Sequence, residues 1–260
     1  ILVLSMNKII SVLMCSNKFD GEFRKSVSSI LNQTFSDFEF IIIVNGVSNE
    51  IYNAVNAYCN DERIILARTS LKGLSVNLNV GLSYCQSDII CRMDADDVAY
   101  PKRLEILSQY MDEHPEIEVC GSGYNIIDEN DVVLYDVIPI QSNRKIRRAL
   151  YYKNPFCHPS VVFRRNIVEQ VGGYSNYRFA QDYDLWLRLS DNKNILFANL
   201  PDKLIGYRSE GADARGAVKA YLIVADSYFH KLLRTGNLLY IVSSFIYVIK
   251  SIIKKIRVFR

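Results

Sequence analysis

A chain of 260 residues with 49% hydrophobic and 23% charged side chains has the composition of a folded globular protein, which excludes a disordered or collagen-like one. Its formal net charge is only +3, yet residues 231–260 carry seven cations and no Asp or Glu, which leaves residues 1–230 at −4. A mildly acidic body excludes a protein that coats nucleic acid, and the basic tail calls for its own explanation.

The opening ILVLSMNKIISVLMCS has only a superficial likeness to a signal peptide. It has no charged leader, Asn7 and Lys8 break the apolar run, and no small-residue cleavage site follows. A first strand, Ile9–Cys15, is expected there, with Met6 as the start of translation. A helix over Glu22–Gln33 follows, then Phe38–Val44 (FEFIIIV), a continuous apolar strand of the kind buried on both faces of a parallel sheet. Next come a helix at Glu50–Cys59, a strand at Arg63–Ala67, a helix at Leu74–Cys85 and a strand at Asp88–Met93. Pro101 opens a helix that stops before His114-Pro115. This alternation predicts βαβ units in an α/β fold.

From Glu118 the rhythm changes: two strands within 118–139 around an Asp-Glu-Asn-Asp turn, a helix over Ile140–Tyr152, a strand at Ser160–Arg164 and a short helix at Asp182–Ser190. Two strands, Ile195–Leu200 and Lys203–Tyr207, complete the sheet, and the glycine-rich Gly206–Gly216 is the expected hinge before a helical tail. Six cysteines without a CxxC pair read as free thiols in a reducing compartment.

The strongest chemical signal is Arg92-Met-Asp94-Ala-Asp96-Asp97, three carboxylates within four positions directly after an apolar strand. Ligands of α/β sheets bind at the carboxyl ends of strands. Carboxylates crowded there repel one another unless a cation joins them, and Mg²⁺ or Mn²⁺ with a diphosphate would meet that need. The alternative is an Asp-rich turn that solvates itself and caps the helix at Pro101.

These residues, with Ser29-Ile-Leu-Asn-Gln-Thr-Phe35, Gly73-Leu74, Asn79, Gly81, Arg103-Leu-Glu105, His114-Pro115, His158-Pro-Ser-Val161, Gly172-Gly-Tyr174 and Asp182-Tyr-Asp-Leu-Trp-Leu-Arg188, resemble a family 2 glycosyltransferase of the bacterial cell-surface polysaccharide and lipopolysaccharide branch. The likeness spans roughly residues 8–208. It implies a GT-A fold: a Rossmann-like nucleotide-diphospho-sugar transferase, a mixed sheet flanked by helices, over residues 1–210, with a helical tail over 211–260. It implies an inverting transfer from a nucleotide-diphosphate sugar to a glycan or polyprenyl-linked acceptor, with Mn²⁺ or Mg²⁺ as cofactor. By the same resemblance Asp96 is the metal ligand, Asp94 faces the ribose or the metal shell, and Asp182 is the general base that takes a proton from the acceptor hydroxyl.

On a helix, residues two apart diverge by about 200°, so only one of Asp182 and Asp184 can aim into a cleft. Asp184 is then a surface or cap carboxylate. Trp186 shares the face of Asp182 and is expected either to flank the acceptor sugar or to be a core aromatic. His158 either bonds a sugar or diphosphate or serves as a structural hydrogen-bonding residue. Arg208 suits bidentate phosphate recognition, and Arg92 and Arg103 balance the aspartates. Several positions depart from the family pattern. Asn45 stands where a donor-reading aspartate is usual, Lys18 in the first loop either pairs with a phosphate or is solvated, Gln181 replaces an acidic neighbour of the base, and Ser209-Glu210 replaces a histidine after Arg208.

In the tail, Leu238–Ile249 is twelve uncharged residues, and even Leu238–Ile253 as one helix spans only about 24 Å, short of a hydrocarbon core of about 30 Å. An apolar helix ending in a Lys/Arg cluster fits an anchor on an anionic leaflet, which implies a peripheral protein on the cytoplasmic face of a bacterial inner membrane. Packing on the protein's own core or in a homodimer is the alternative. Two other functions compete. A sugar-nucleotide pyrophosphorylase needs a glycine-rich basic loop that Met14–Gly21 does not offer, and a non-catalytic, membrane-docked nucleotide-sugar or glycan-binding protein would fit Asn45 and Gln181. GxGxxG and GxxxxGK[ST] are both absent.

Overall fold

The computed structural model describes residues 10–208 and 214–258; the expected start at Met6 and the Ser209-Glu210 substitution lie outside the described residues. The parallel half of the sheet is β1 (Ile10–Ser16), β2 (Phe38–Asn45), β3 (Ile64–Thr69) and β4 (Ile89–Asp94), in spatial order β3-β2-β1-β4. Every residue of β1 and β2 is buried, as continuous apolar runs require when helices cover both faces. The crossovers are α1 (Gly21–Leu31), α2 (Asn49–Tyr58) and α3 (Leu74–Tyr84). Asp20 caps α1 by accepting the Phe23 N–H at 2.9 Å, and Ser48 caps α2 by accepting from Ile51. Helix α3 lies so close to β1 that a Cβ on Gly81 would sit 2.2 Å from Leu13 Cδ1, an approach only glycine allows.

The second half runs β5 (Val98–Ala99), α4 (Arg103–Glu113), β6 (Ile117–Ile127), β7 (Val133–Val137), α5 (Asn143–Ala149), a 3₁₀ turn at His158–Ser160, β8 (Val162–Arg164), α6 (Arg165–Gln170), α7 (Gln181–Leu189) and β9 (Leu196–Arg208). Strand β8 is antiparallel to both β4 and β6 and joins the halves into one mixed sheet, β3-β2-β1-β4-β8-β6-β9-β5, with β7 on β6. The two strands expected at 195–207 are one: the register of β9 on β6 skips Pro201 and Asp202, and this bulge absorbs the proline without ending the ladder. Gly206 lies inside β9 opposite Val98, so no hinge begins there. Pro101 sits in the turn before α4 rather than in its first helical position. Strand β5, two residues long, and α6, six, are too short to write a periodic pattern.

Beyond residue 213, α8 (Ala214–Thr235) and α9 (Leu239–Val258) form a hairpin turning at Gly236. It shares a core with the sheet domain: Tyr228, Tyr240 and Tyr247 are buried in the cluster that holds Tyr183, Leu185 and Trp186 of α7. The Tyr228 and Tyr183 hydroxyls are 2.7 Å apart and both donate to the Leu150 carbonyl. Lys231, fully buried, donates to the Leu187 carbonyl, to Ser190 and to Asp191, closing the C-terminal end of α7. A hairpin packed in this way contributes to the stability of the whole domain. Tyr228→Ala is expected to destabilise the protein by about 3–5 kcal/mol, read by denaturant unfolding, whereas Leu239→Ser at an exposed position stays within about 0.5 kcal/mol. A tail that unfolds independently of α7 would show no loss at Tyr228.

Candidate active site

The carboxyl ends of β1, β2 and β4 lie side by side, with Cys15 opposite Asp94 and Ser16 opposite Val44. Asp94 ends β4, and the turn to β5 carries Asp96 and Asp97. Carboxylate oxygens of the three lie within 4.8 Å of one another. Burial, and next the charge of Asp94, push the Asp96 carboxyl above its ordinary range and that of Asp97 well above it. Asp97 Oδ1 accepts the Arg208 N–H at 2.8 Å, while its buried Oδ2 has no protein partner. An orphaned oxygen among mutually repelling carboxylates is the donor set a hard divalent cation suits, so Asp94, Asp96 and Asp97 fit Mn²⁺ or Mg²⁺. Asp97 was not among the ligands expected from the sequence.

Two buried arginines hold the cluster. Arg92, on β4, reaches the Leu13 carbonyl at 3.3 Å and pairs with Asp94. Arg103 donates to the Arg92 and Pro159 carbonyls at 2.5 and 2.7 Å, tying α4 to the 3₁₀ turn. Arg208 corrects an expectation. Its side chain is 1% exposed and fully engaged, donating to the Asp96 and Asp128 carbonyls and to Asp131, with Glu22 at 3.6 Å. It braces the aspartate turn and has no free edge for a phosphate. Lys18 is half exposed and ion-paired with Asp20 at 2.9 Å and Glu22 at 2.8 Å, and its hydrogen bond to Glu22 raises its pKa. Asn45 ends β2 opposite Thr69, beside a hollow of about 390 Å³ lined by Gly46, Val47, Arg68, Thr69 and Ser70.

A cleft of about 450 Å³ brings Asp94 together with Asp182, His158, Asn154, Arg178 and Tyr207. Asp182 is the second residue of α7, entered through Ala180 in the left-handed region at φ 53°, a costly conformation for a residue with a Cβ. Asn154 Nδ2 donates to Asp182 Oδ2 at 2.7 Å. Burial raises the Asp182 pKa, against the lowering effect of the Tyr183 N–H and the Asn154 amide. Asp184 points away, as the helical angle requires, but it is no surface carboxylate. It is buried and accepts from Ser175 at 2.6 Å, Arg188 at 2.8 Å and Ser227 at 2.9 Å, binding α7 to α8.

Trp186 does not flank the acceptor space. It is fully buried, 5.2 Å centroid to centroid from Phe156 and 6.3 Å from His158, because α7 is buried around almost its whole circumference. His158 lines the cleft while its Nε2 lies 3.0 Å from the Tyr174 hydroxyl; burial, and then Arg92, hold its pKa well below the ordinary value, so the ring is neutral. The Gly172-Gly-Tyr174 motif has a structural role: Gly173, at φ 72°, leaves room for Asn79, whose amide bonds both the N–H and the carbonyl of Tyr174 at 2.8 Å. Asn154, Arg178 and Tyr207 were missed from the sequence. Asn154 and Tyr207 stood beside residues singled out there, and nothing in the sequence pattern marks Arg178.

A mixed α/β sheet with a carboxylate cluster at the end of β4, and a further carboxylate at the start of a helix lining the same cleft, is the arrangement of the GT-A fold. Residues 11–172 match the family model Glycosyl transferase family 2, and the chain belongs to that family. It is 34% identical over 249 residues, covering 95% of this chain and 97% of the relative, to the O-antigen biosynthesis glycosyltransferase WbnJ of Escherichia coli. It is 28% identical to the UDP-Gal:alpha-D-GlcNAc-diphosphoundecaprenol beta-1,3-galactosyltransferase of Escherichia coli, over 79% of this chain and 76% of that one. In fold it is similar to the mannosyltransferase PcManGT of Pyrobaculum calidifontis, solved with GDP-Man and Mn²⁺, at a TM-score of 0.65 and 14% identity over 92% of this chain and 69% of that one.

The bracing role of Arg208 is checked by stability. Arg208→Ala leaves the part-buried Asp96 and Asp128 carbonyls without their donor and is expected to cost about 3 kcal/mol in chemical unfolding without any donor sugar present, Asp131 keeping its ion pair with Lys25. A pure phosphate ligand would leave unfolding unchanged.

Proposed function

We propose that this chain, a glycosyltransferase of bacterial surface polysaccharide synthesis, moves one sugar from a nucleotide-diphosphate sugar to a lipid-linked glycan acceptor with inversion, at the cytoplasmic face of the inner membrane. The observation that carries the reading is that Asp182 and the end of the aspartate cluster, Asp94, line one cleft. Bound by Asp94, Asp96 and Asp97, Mn²⁺ or Mg²⁺ supplies Lewis-acid neutralisation of the leaving diphosphate. Asn45 and the hollow beside it are placed to read the nucleoside.

Asp182 acts as general base. It takes the proton of the acceptor hydroxyl while that oxygen bonds to the anomeric carbon, and the bond from that carbon to the diphosphate oxygen breaks. Asn154 holds the carboxylate in position through its amide hydrogen bond. Burial raises the base towards the pH at which a carboxylate transfers protons well. Arg178 is the one cation among the described residues that line the cleft, and none of the described carboxylates pairs with it, so it meets the phosphate oxygens of the substrates. His158, neutral, is an uncharged hydrogen-bonding neighbour of the acceptor.

Calorimetric titration with UDP-, GDP- and dTDP-sugars, with Mn²⁺ and then EDTA, tests the reading. One nucleotide class is expected to bind, and to lose binding with EDTA or with Asp96→Ala; absence of binding by every class would sink it. Asp182→Asn is expected to keep donor binding and lose about 10²–10⁴-fold in kcat.

The base also fixes the pH response. It works deprotonated and its pKa is raised, so kcat falls as pH drops through a value above the ordinary carboxylate range. The Asn154 hydrogen bond favours the ionised form, so Asn154→Ala raises that pKa further. The acidic limb of the kcat–pH profile is expected to move to higher pH, and a shift to lower pH would contradict the assignment.

A further inference from the structure

Helix α9 has two unlike faces. Tyr240, Ser243, Tyr247 and Ser251, spaced three and four apart, are buried against the protein. On the opposite side Ile241, Val242, Phe245, Ile249, Ile252 and Ile256 follow the same spacing and are 41–64% exposed. Phe229 and Leu233 of α8 are also exposed, so the hairpin offers further apolar surface outside its core. A stripe this long, covered by nothing among the described residues, is far more apolar than a solvated helix face needs to be.

We propose that this face of α9 lies flat in the headgroup region of an anionic lipid bilayer. Charge selects that partner. Helix α9 carries Lys250, Lys254 and Lys255 and no acidic residue. At 100° per residue Lys250 and Lys255 fall on either side of the exposed stripe and Lys254 towards the packed face, so the exposed Lys255 reaches phosphate headgroups while the isoleucines and Phe245 enter the acyl boundary. Lys250 is turned towards the protein, its ammonium 4.2 Å from the Tyr247 ring centre and 3.1 Å from the Tyr152 carbonyl. Among the described residues, Lys254 and Lys255 face no carboxylate.

A second copy docked through the same face would bring like charges together with no acid to offset them. Insertion across the bilayer is excluded by the inner face, whose tyrosines and serines are hydrogen-bonded within the protein, and no helix among the described residues is long and apolar enough to cross a membrane. The flat orientation uses both faces of the helix at once.

The test is co-sedimentation of the full chain with vesicles of phosphatidylcholine alone or mixed with phosphatidylglycerol, a readout that needs no sugar donor and so stands or falls separately from the transferase reading. Binding is expected to the anionic vesicles, weakened by salt. Phe245→Ser with Ile252→Ser is expected to abolish it, and Lys255→Glu to weaken it several-fold, both variants keeping the wild-type Tm because the replaced side chains project from the surface. The proposal is overturned if the wild type ignores anionic vesicles, or if binding survives both variants. It is likewise overturned if the wild type, without binding vesicles, forms a dimer in sedimentation velocity that Phe245→Ser with Ile252→Ser dissolves; the face would then belong to a second copy.

Discussion

Three carboxylates with oxygens within 4.8 Å of one another are an unstable arrangement, and much of the surrounding architecture contains their repulsion. Arg92 neutralises Asp94 from inside the sheet, and Arg103 fixes the Arg92 carbonyl and the turn beside it. Arg208 arrives from the end of β9 to hold Asp97 through its backbone and the aspartate turn through its side chain. The two-residue strand β5 exists to bring that turn against β9. These contacts anchor the cluster without discharging it: Asp96 and Asp97 remain destabilised as anions, and Asp97 Oδ2 remains without a partner. The protein thus keeps uncompensated negative charge beside the cleft that Asp94 and Asp182 line together.

The parallel half of the fold was legible because doubly buried strands are predominantly apolar, and β1, β2 and β4 write that requirement into the chain around a few paired polar residues such as Glu39 and Arg92. The aspartate cluster and Asp182 were legible for a related reason: local spacing after a strand, or at a helix start, carries their chemistry. What failed was depth and distance. Periodicity placed Trp186 on the face of Asp182, but α7 is enclosed by core on nearly every side, so a shared face does not mean a shared cleft. Arg208 looked free because Asp128, Asp131 and Glu22, its partners, are remote in sequence. Asn154 and Arg178 come from irregular segments, where no period announces orientation.

The tail gave two expectations that seemed exclusive, a helix packed on its own protein or a helix on a membrane. The geometry separates them by face rather than by choice: tyrosines and serines settle the inner side, and the outer side stays apolar. Composition could not resolve this, since both faces contribute to one uncharged run.

The tyrosine cluster also sets an order of events during synthesis. Tyr183 follows the base directly, and the hydroxyls around it come from Tyr228 and Tyr247. The segment leading to Asn154 is held by the same residues, through the Leu150 and Tyr152 carbonyls. A growing chain that has already folded its parallel half therefore still lacks the packing behind Asp182. The donor side of the cleft can form while residues beyond 213 are unmade, and the acceptor side becomes rigid only when the hairpin docks. The order in which the chain is made thus leaves the packing behind Asp182 until last.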